Sequence, residues 1–250
     1  MAERYHRVRP LFHAKVVRWI CEATGSQRFE RALDVGCGSG HSTVALAEIA
    51  GEVIGVDASP GMLGQAQPAV GVRYQFGRAE ALDFAAGEFD LVTVGSALHW
   101  FVQDRFYTEC RKVLSPEGAL VVYNDHFTAH MQGSVACKRW MRTRFAKRFP
   151  APWRGMRDID EQKAVACGFE IAERASFTHL VPFERAELID YLLTRSNTLA
   201  AMDSGKESEQ SIVDWLESEL ISIIPDGARG LCIFKCNLWM MRKAAAGAAK

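Results

Sequence analysis

The sequence predicts an α/β fold in which helices flank a doubly wound, mostly parallel sheet. Short apolar runs alternate with helical patterns from Arg31 onward, and this alternation is typical of parallel strands joined by right-handed crossovers. A glycine-rich segment follows the first apolar run, and Asp57 ends the second. Open parallel sheets bind ligands at the edge where such segments lie.

Each apolar run is assigned to a strand by its length and by the turn residues beside it. Seven strands are predicted, at Ala32–Val35, Val53–Val56, Val72–Phe76, Phe89–Val94, Ala119–Tyr123, Phe169–Thr178 and Leu231–Met240. Helices are predicted at Thr43–Ile49, from Ser59-Pro60 onward, and at Phe106–Leu114, Ile159–Cys167, Ala186–Leu193 and Glu209–Ile224. One more helix is indicated by an apolar stripe every four residues, formed by Cys137, Met141, Phe145 and Phe149.

Composition places the chain among ordinary globular proteins. Its 250 residues are 48% apolar and 24% charged, and 30 basic residues offset 30 acidic ones. No global field therefore attracts nucleic acid or an anionic membrane. No run reaches the roughly 20 apolar residues of a membrane helix, and the charged start of the chain does not resemble a signal peptide. The seven scattered cysteines suggest reduced thiols, and we expect a cytoplasmic protein.

The glycine-rich segment runs from Leu33 to Gly40 and contains glycines at positions 36, 38 and 40. Glycines between a strand and a helix let the backbone turn sharply and let a ligand approach closely. Asp57 follows about twenty residues later, where a carboxylate accepts hydrogen bonds from ribose hydroxyls. Together, the glycine-rich segment and Asp57 predict a cofactor that contains a nucleoside.

The spacing favours adenosylmethionine over NAD. The dinucleotide pattern is G-x-G-x-x-G, but His41 occupies the place of its third glycine. Asp34 inside the segment would repel a pyrophosphate and would attract the ammonium of a methionine moiety. An NAD-dependent dehydrogenase remains the residual alternative.

Several segments resemble class I S-adenosylmethionine-dependent methyltransferases, and the similarity covers roughly Tyr5 to Tyr123. They are Leu33–Gly40, Gly55–Ser59, Gly77–Leu82, Phe89–Val92 and Leu114–Leu120. Within this class the chain is similar to the methyltransferase-11 group and its trans-aconitate-methyltransferase-like members, through Ser96–Phe101 and Tyr5–Pro10.

The resemblance implies one Rossmann-like domain over residues 1–250, with a seven-stranded sheet whose last strand is antiparallel. It places the cofactor-binding core at 28–123 and a helical cap over the active site in insertions at 124–157 and 179–228. It implies that S-adenosylmethionine, with S-adenosylhomocysteine as product, is held at its amino-acid end by Asp34, Gly36 and Gly38, with Cys37 in the same loop. Asp57 would bind the ribose, and the remaining cofactor contacts would be Ala58, Met62, Ala79, Glu80 and Ser96.

Methyl transfer needs alignment of the acceptor with the sulfonium, and a base only where the acceptor carries a proton. His99, just after the fourth strand, is the candidate base or substrate contact; a structural histidine is an equal alternative. Trp100 is a candidate pocket wall or an ordinary packing residue. The resemblance suggests that the N-terminal segment folds over the cofactor, which makes Tyr5 and Arg9 possible contacts to a carboxylate.

Eight basic residues and no acid lie between Lys138 and Arg157, with Trp140 and Trp153 among them. They suggest a substrate pocket, although a solvated basic helix face is the favoured alternative. The resulting hypothesis is methylation of a small-molecule O-, N- or C-nucleophile, with carboxylate-bearing metabolites among the candidates. A non-catalytic cofactor-binding partner or sensor and an RNA or protein methyltransferase are the alternatives. We expect no metal and no membrane partner, and the oligomeric state is not predicted.

Overall fold

The computed structural model describes residues 2–151 and 159–244. Seven strands form one mixed sheet in the order β3-β2-β1-β4-β5-β7-β6, with β7 antiparallel. The strands are β1 Phe29–Val35, β2 Ala50–Asp57, β3 Val72–Phe76, β4 Phe89–Gly95, β5 Leu114–Met131, β6 Phe169–Phe183 and β7 Gly230–Lys243. The predicted Rossmann-like sheet with an antiparallel last strand is confirmed.

The helices are short, and several form only one or two turns. They are α1 Ala2–Val8, α2 His13–Thr24, α3 His41–Leu46, α4 Pro60–Leu63, α5 Gln103–Val113, α6 Val135–Trp140, α7 Ala146–Arg148, α8 Glu161–Ala166, α9 Arg185–Leu193, α10 Ser196–Asp203 and α11 Glu209–Leu220. A π-helical segment, Met141–Phe145, joins α6 to α7. Ser59 caps α4 by accepting a hydrogen bond from the Met62 backbone, and Pro60 follows at the first helical position, as the sequence predicts.

The strands after residue 113 are longer than predicted. β5 continues eight residues beyond the predicted end at Tyr123, because its polar second half still pairs with backbone: the Thr128 hydroxyl donates to the Ile233 carbonyl at 2.7 Å. Polar residues such as Asn124, Asp125 and Thr128 interrupt the apolar run and hide this half from a search for apolar runs. The structure also adds α1, α2 and α10, which the sequence analysis did not assign.

Successive residues of a strand point to opposite faces of the sheet, and this divides the β1 side chains between two apolar clusters. Leu33 and Val35 pack with buried residues such as Phe106 of α5. Ala32 packs on the other face with Ile20 of α2. The sheet is therefore covered on both faces around β1, as expected for parallel strands.

The chain divides into two compact units. The first unit comprises the described residues within Leu11–Asp125, Arg154–Phe177 and Cys236–Lys250, and it contains the glycine-rich loop. The second unit comprises those within Met1–Pro10, His126–Trp153 and Thr178–Lys235, and it has its own buried cluster. The predicted division into a core and cap insertions stays a prediction.

Candidate functional site

The glycine-rich loop lies where the chain direction across the sheet reverses. β1 and β4 are parallel neighbours, with Asp34 opposite Thr93. The chain passes from β1 outward to β2 and β3, and from β4 outward to β5 in the opposite direction. This divergence leaves a crevice at the carboxyl ends of the two strands, which is the usual ligand site in open α/β sheets.

Three loop glycines adopt a left-handed backbone and stand close to their neighbours. Gly36 has φ +73°, and a Cβ there would lie 2.5 Å from the Cβ of Ala97. Gly38 has φ +57°, and its Cβ would lie 3.1 Å from Cε of Met62. Gly40 has φ +84° and abuts the hydroxyl of Tyr74. These neighbours leave little or no room for a side chain at the three positions, so the loop backbone packs directly against Ala97, Met62 and Tyr74.

Asp34 is fully buried beneath this loop. Its Oδ2 accepts hydrogen bonds from the hydroxyls of Ser42 at 2.5 Å and Thr43 at 2.7 Å, and its Oδ1 accepts one from Thr93 at 3.0 Å. Burial raises the pKa of this carboxyl, and the three hydroxyl hydrogen bonds oppose the rise. In this arrangement Asp34 ties β1, β4 and the start of α3 together. Its expected contact with the amino-acid end of the cofactor stays a prediction.

Asp57 ends β2 and holds the loop from the other side. Its Oδ2 accepts from the Gly38 backbone N–H at 2.8 Å, and its Oδ1 accepts from the Ser59 N–H at 2.8 Å. Each carboxylate oxygen can accept two hydrogen bonds, so both retain capacity toward a ligand. A half-buried carboxylate fixed beside the glycine-rich loop is a suitable ribose acceptor.

The other predicted cofactor contacts lie in different environments. Ala58 is exposed directly after Asp57, and Met62 lies against Gly38. Ala79 is buried in the apolar cluster of the first unit. Glu80 is half-buried, and its Oε1 accepts from the Val102 N–H at 2.8 Å. Cys37 is buried within the loop, and burial raises the pKa of its thiol, so it is an uncharged packing group there.

Ser96 follows β4 in a strained conformation. Its φ is +52°, a left-handed value that is uncommon outside glycine. The Asp125 N–H donates to its hydroxyl at 3.1 Å, and its own N–H donates to the Tyr123 carbonyl at 2.8 Å. Strain of this kind concentrates at functional sites, and here it turns the chain sharply at the end of β4.

His99 and Trp100 lie on a short 3₁₀ turn, Leu98–Trp100, that follows this bend. His99 is half-buried, and its ring centroid lies 5.2 Å from that of Trp100. Trp100 is 62% exposed, so it is not a core residue of the first unit. The turn belongs to the same carboxyl edge of the sheet as the glycine loop.

The remaining predicted substrate residues belong to the second unit. The Arg9 guanidinium lies over the rings of Tyr5 at 4.2 Å and Tyr191 at 5.3 Å. Trp140 is only 7% exposed, stacks on Trp215 and donates its indole N–H to Glu219 at 2.9 Å. That environment is one of packing, and its role in a substrate pocket stays a prediction. Trp153 lies outside the described residues.

Two arginines of the basic run are neutralised by acids of the second unit. Arg144 pairs with Glu219, and Arg148 makes a two-bonded pair with Glu207 at 2.8 and 2.9 Å. Arg148 also lies 4.7 Å from the ring centroid of Trp215. These contacts agree with a structural role for this part of the run. Arg154 and Arg157 lie outside the described residues.

Sequence reasoning missed several residues that build the site. Ser42, Thr43 and Thr93 hold Asp34, and a signal for one of them was present: Thr93 is the polar residue inside the apolar run Leu91–Val94. Tyr74, in the middle of β3, abuts Gly40 at the start of α3, a contact that no local sequence pattern indicates.

Within residues 2–151 and 159–244, no group of three or more histidine, cysteine or acidic side chains could hold a metal ion. Over the same residues, none of the helices is both long and apolar enough to pass through a membrane.

The chain is similar to known methyltransferases in sequence and in structure. The methyltransferase-domain family Methyltransf_11 matches residues 33–122. A Dictyostelium discoideum protein described as a methyltransferase is 27% identical over 83% of this chain and 79% of its own. The ubiquinone biosynthesis O-methyltransferase of Cereibacter sphaeroides is 34% identical over 44% of this chain and 49% of its own. The structure of a protein described as a type II methyltransferase from Anaeromyxobacter dehalogenans superposes with a TM-score of 0.70 at 23% identity, covering 94% of this chain and 97% of that one.

The matched residues contain the glycine loop, Asp57 and Ser96, and the structural likeness extends over the whole fold. Residues 33–122 match a methyltransferase domain, and the sequence relatives support a class I S-adenosylmethionine-dependent methyltransferase. The narrower similarity to trans-aconitate-methyltransferase-like enzymes stays a prediction.

Proposed function

We propose that this protein transfers a methyl group from S-adenosylmethionine to a small-molecule acceptor at the carboxyl edge of β1 and β4. The observation that carries the proposal is the glycine-rich loop from Gly36 to Gly40 with the Asp57 carboxylate fixed beside it. Glycine at positions 36, 38 and 40 lets the loop backbone pack closely against Ala97, Met62 and Tyr74. With the Asp57 carboxylate beside it, the loop fits a nucleoside cofactor with an amino-acid tail.

When bound, the cofactor supplies an activated methyl group whose transfer is an in-line displacement. In our proposal Asp57 binds the ribose hydroxyls, and Gly36 and Gly38 lie against the amino-acid end. Asp34 acts through the loop, because its oxygens already accept three hydroxyl hydrogen bonds. Ala58, Met62, Ala79 and Glu80 would surround the base and sugar, and Ser96 would line the floor.

His99 is the proposed base or substrate contact. It lies on a turn directly after the strained Ser96, beside the exposed Trp100. An imidazole at this edge can accept a proton from an acceptor hydroxyl or ammonium near neutral pH. An acceptor that is already deprotonated, such as a carboxylate, would need no base, and His99 would only orient it.

Three observations support a small molecule rather than a nucleic acid as acceptor. The net charge is zero, and two arginines of the basic run are already paired with glutamates. One relative is named a ubiquinone biosynthesis O-methyltransferase. We infer the acceptor class by analogy with that protein, whose alignment covers less than half of this chain.

The test compares calorimetric titrations of the wild-type protein, Asp57→Asn and Asp90→Asn with S-adenosylmethionine, S-adenosylhomocysteine and NAD. Asp90 is a matched control because its Oδ2 accepts two backbone N–H bonds, from Glu30 and Arg31, near the opposite ends of the strands. We expect both sulfur ligands to bind wild-type protein and Asp90→Asn, and to bind Asp57→Asn at least about tenfold more weakly. Binding of NAD alone, or equal effects of the two substitutions, would contradict the proposed site.

Turnover separates an enzyme from a non-catalytic cofactor-binding partner. A panel of small carboxylates, phenols and amines is incubated with cofactor, and formation of S-adenosylhomocysteine is measured for wild type and His99→Gln. We expect turnover with at least one acceptor, and a lower kcat for His99→Gln with cofactor affinity unchanged. Tight cofactor binding without turnover on any acceptor would favour the partner or sensor.

A further inference from the structure

His13, the first residue of α2, packs against the glycine-loop end of the sheet. Its ring stacks on Phe12 at 4.5 Å between centroids, meets Tyr123 edge-on at 6.2 Å, and lies 6.4 Å from the ring of His41. All four residues belong to the first unit. His13 is outside the segments that carry the family resemblance.

Two of these neighbours locate His13 relative to the crevice. His41 directly follows Gly40 and opens α3. Tyr123 places its hydroxyl 2.5 Å from where a Cβ on Gly95 would lie, one residue before the strained Ser96. The His13 ring is therefore bracketed by the residue after the glycine loop and by the part of β5 that pairs with the end of β4.

The Nδ1 atom of His13 is inaccessible to water and has no hydrogen-bond partner within the described parts of the chain. Leaving a buried polar atom without a partner costs about 1–3 kcal/mol, and native structures contain few such atoms. Burial and the neighbouring His41 lower the pKa of His13 to about 4, so the ring is neutral at physiological pH. A neutral imidazole keeps one donor and one acceptor.

We propose that His13 binds the cofactor directly, its ring turning so that Nδ1 hydrogen-bonds the amino-acid end. This inference rests on the proposed cofactor site. The amino-acid end carries a carboxylate that accepts hydrogen bonds and an ammonium that donates them, and a neutral imidazole can serve either through its tautomer. The contact satisfies the partnerless atom without adding a charge beside the buried Asp34.

The experiment uses a ligand pair that differs at that end. S-adenosylhomocysteine carries the amino-acid moiety, and methylthioadenosine lacks it while keeping the nucleoside and the sulfur. Both are titrated into wild type, His13→Phe, His13→Asn and the control His179→Phe, a histidine of the second unit whose ring packs on Phe234. We expect His13→Phe to bind S-adenosylhomocysteine about tenfold more weakly, with methylthioadenosine unchanged. We also expect His13→Asn to restore part of the affinity, because its side-chain amide reaches close to the Nδ1 position.

Equal weakening of both ligands in His13→Phe would show a merely structural role and overturn the proposal, as would no weakening of either. Failure of the wild-type protein to bind both ligands would instead refute the proposed cofactor site itself. The imidazole ¹⁵N resonances of His13 in the unmutated protein give a second measurement that does not depend on a variant folding. We expect the Nδ1 resonance to shift with S-adenosylhomocysteine and to stay in place with methylthioadenosine; the same shift with both would refute the contact.

Discussion

The hydroxyl of Tyr107 lies in the core of the first unit and has no hydrogen-bond partner among the described residues. Burial raises the pKa of this phenol far above its ordinary value, so it is uncharged. Since a buried hydroxyl without a partner is unfavourable, we expect Tyr107→Phe to leave the free energy of unfolding unchanged or raise it by about 0.5–1 kcal/mol. Urea unfolding of the purified variant measures this.

Tyr74→Phe is the matched comparison, because the Tyr74 hydroxyl donates to the Gln67 carbonyl at 3.2 Å. It should lower the free energy of unfolding by about 0.5–1.5 kcal/mol. Greater destabilisation by Tyr107→Phe than by Tyr74→Phe would show that the buried hydroxyl is bonded after all.

The lowered pKa of His13 makes stability depend on pH in a defined window. The folded value is about 4 against an ordinary 6.5, so between these pH values the unfolded chain binds a proton that the folded chain does not. The contribution of His13 to the free energy of unfolding is therefore complete above pH 6.5. It decreases by about 2–3 kcal/mol as the pH falls toward 4. We expect His13→Phe to lose less stability than wild type between pH 7 and pH 4.5 in urea unfolding; parallel losses would contradict the assignment.

At the level of elements, the loop after β1 depends on Gly36 for two separate reasons. Its φ of +73° disfavours any other residue, and a Cβ would collide with Ala97. We expect Gly36→Ala to lower the free energy of unfolding by at least about 2 kcal/mol and to abolish S-adenosylhomocysteine binding. Gly25 has a similar φ of +70° with nothing within 4 Å of its Cβ position, so Gly25→Ala should cost only about 1 kcal/mol and leave binding intact.

Helix α1 is held onto α9 and α11 by ion pairs. Arg4 lies 3.0 Å from Asp190 and 2.6 Å from Glu209, and Arg7 lies 2.7 Å from Asp190. Because these charges are partly exposed, we expect Asp190→Asn to weaken protection of residues 2–8 against hydrogen exchange by only about 1 kcal/mol.

The loss should shrink in 1 M salt, where exposed charges are screened. Asp203→Asn, at an exposed position of α10, serves as the control and should leave the exchange of residues 2–8 unchanged. Equal effects of the two substitutions would show that Asp190 does not hold α1.

The sequence predicts helices and strands well where their pattern of apolar residues is uninterrupted. Strands β1, β2 and β4 are buried on both faces over their predicted residues and are found within three residues of the predicted ends. No helix was assigned at α2, although Val16, Val17 and Ile20 form one buried face. The polar half of β5 carries no local signal, since its strand state depends on pairing with residues over 100 positions away.

Some residues of the candidate site can also be predicted from local sequence patterns, and others cannot. Gly36, Gly38 and Asp57 could be named from spacing, because backbone conformation and strand ends leave a local pattern. His13 and Tyr74 could not, since they reach the loop only through the packing of α2 and β3. The buried state of Asp34 also escapes the sequence, which shows an acid but not the three hydroxyls that enclose it.

For the whole molecule, the seven cysteines give a test of the packing. All seven are free thiols; Cys21 and Cys167 are half-buried, and the other five are buried, namely Cys37, Cys110, Cys137, Cys232 and Cys236. Burial raises the pKa of the thiols, so few are ionised at neutral pH. We expect at most two thiols to react quickly with a disulfide reagent in the native protein, and all seven to react in denaturant. Because the thiols are free, adding reductant should leave the melting temperature unchanged. Rapid reaction of all seven would contradict the described core.

The ion pairs of α1 join residues separated by 183 and 205 positions along the chain. At a ribosomal rate of roughly 5–20 residues per second, Arg4 and Arg7 are synthesised about 10–40 seconds before their partners Glu209 and Asp190. Strands β1 to β4 and the glycine loop between β1 and α3 are all synthesised within this interval. The strands around the glycine loop are therefore complete before the acids that hold α1 exist, so α1 can dock on α9 and α11 only late in synthesis.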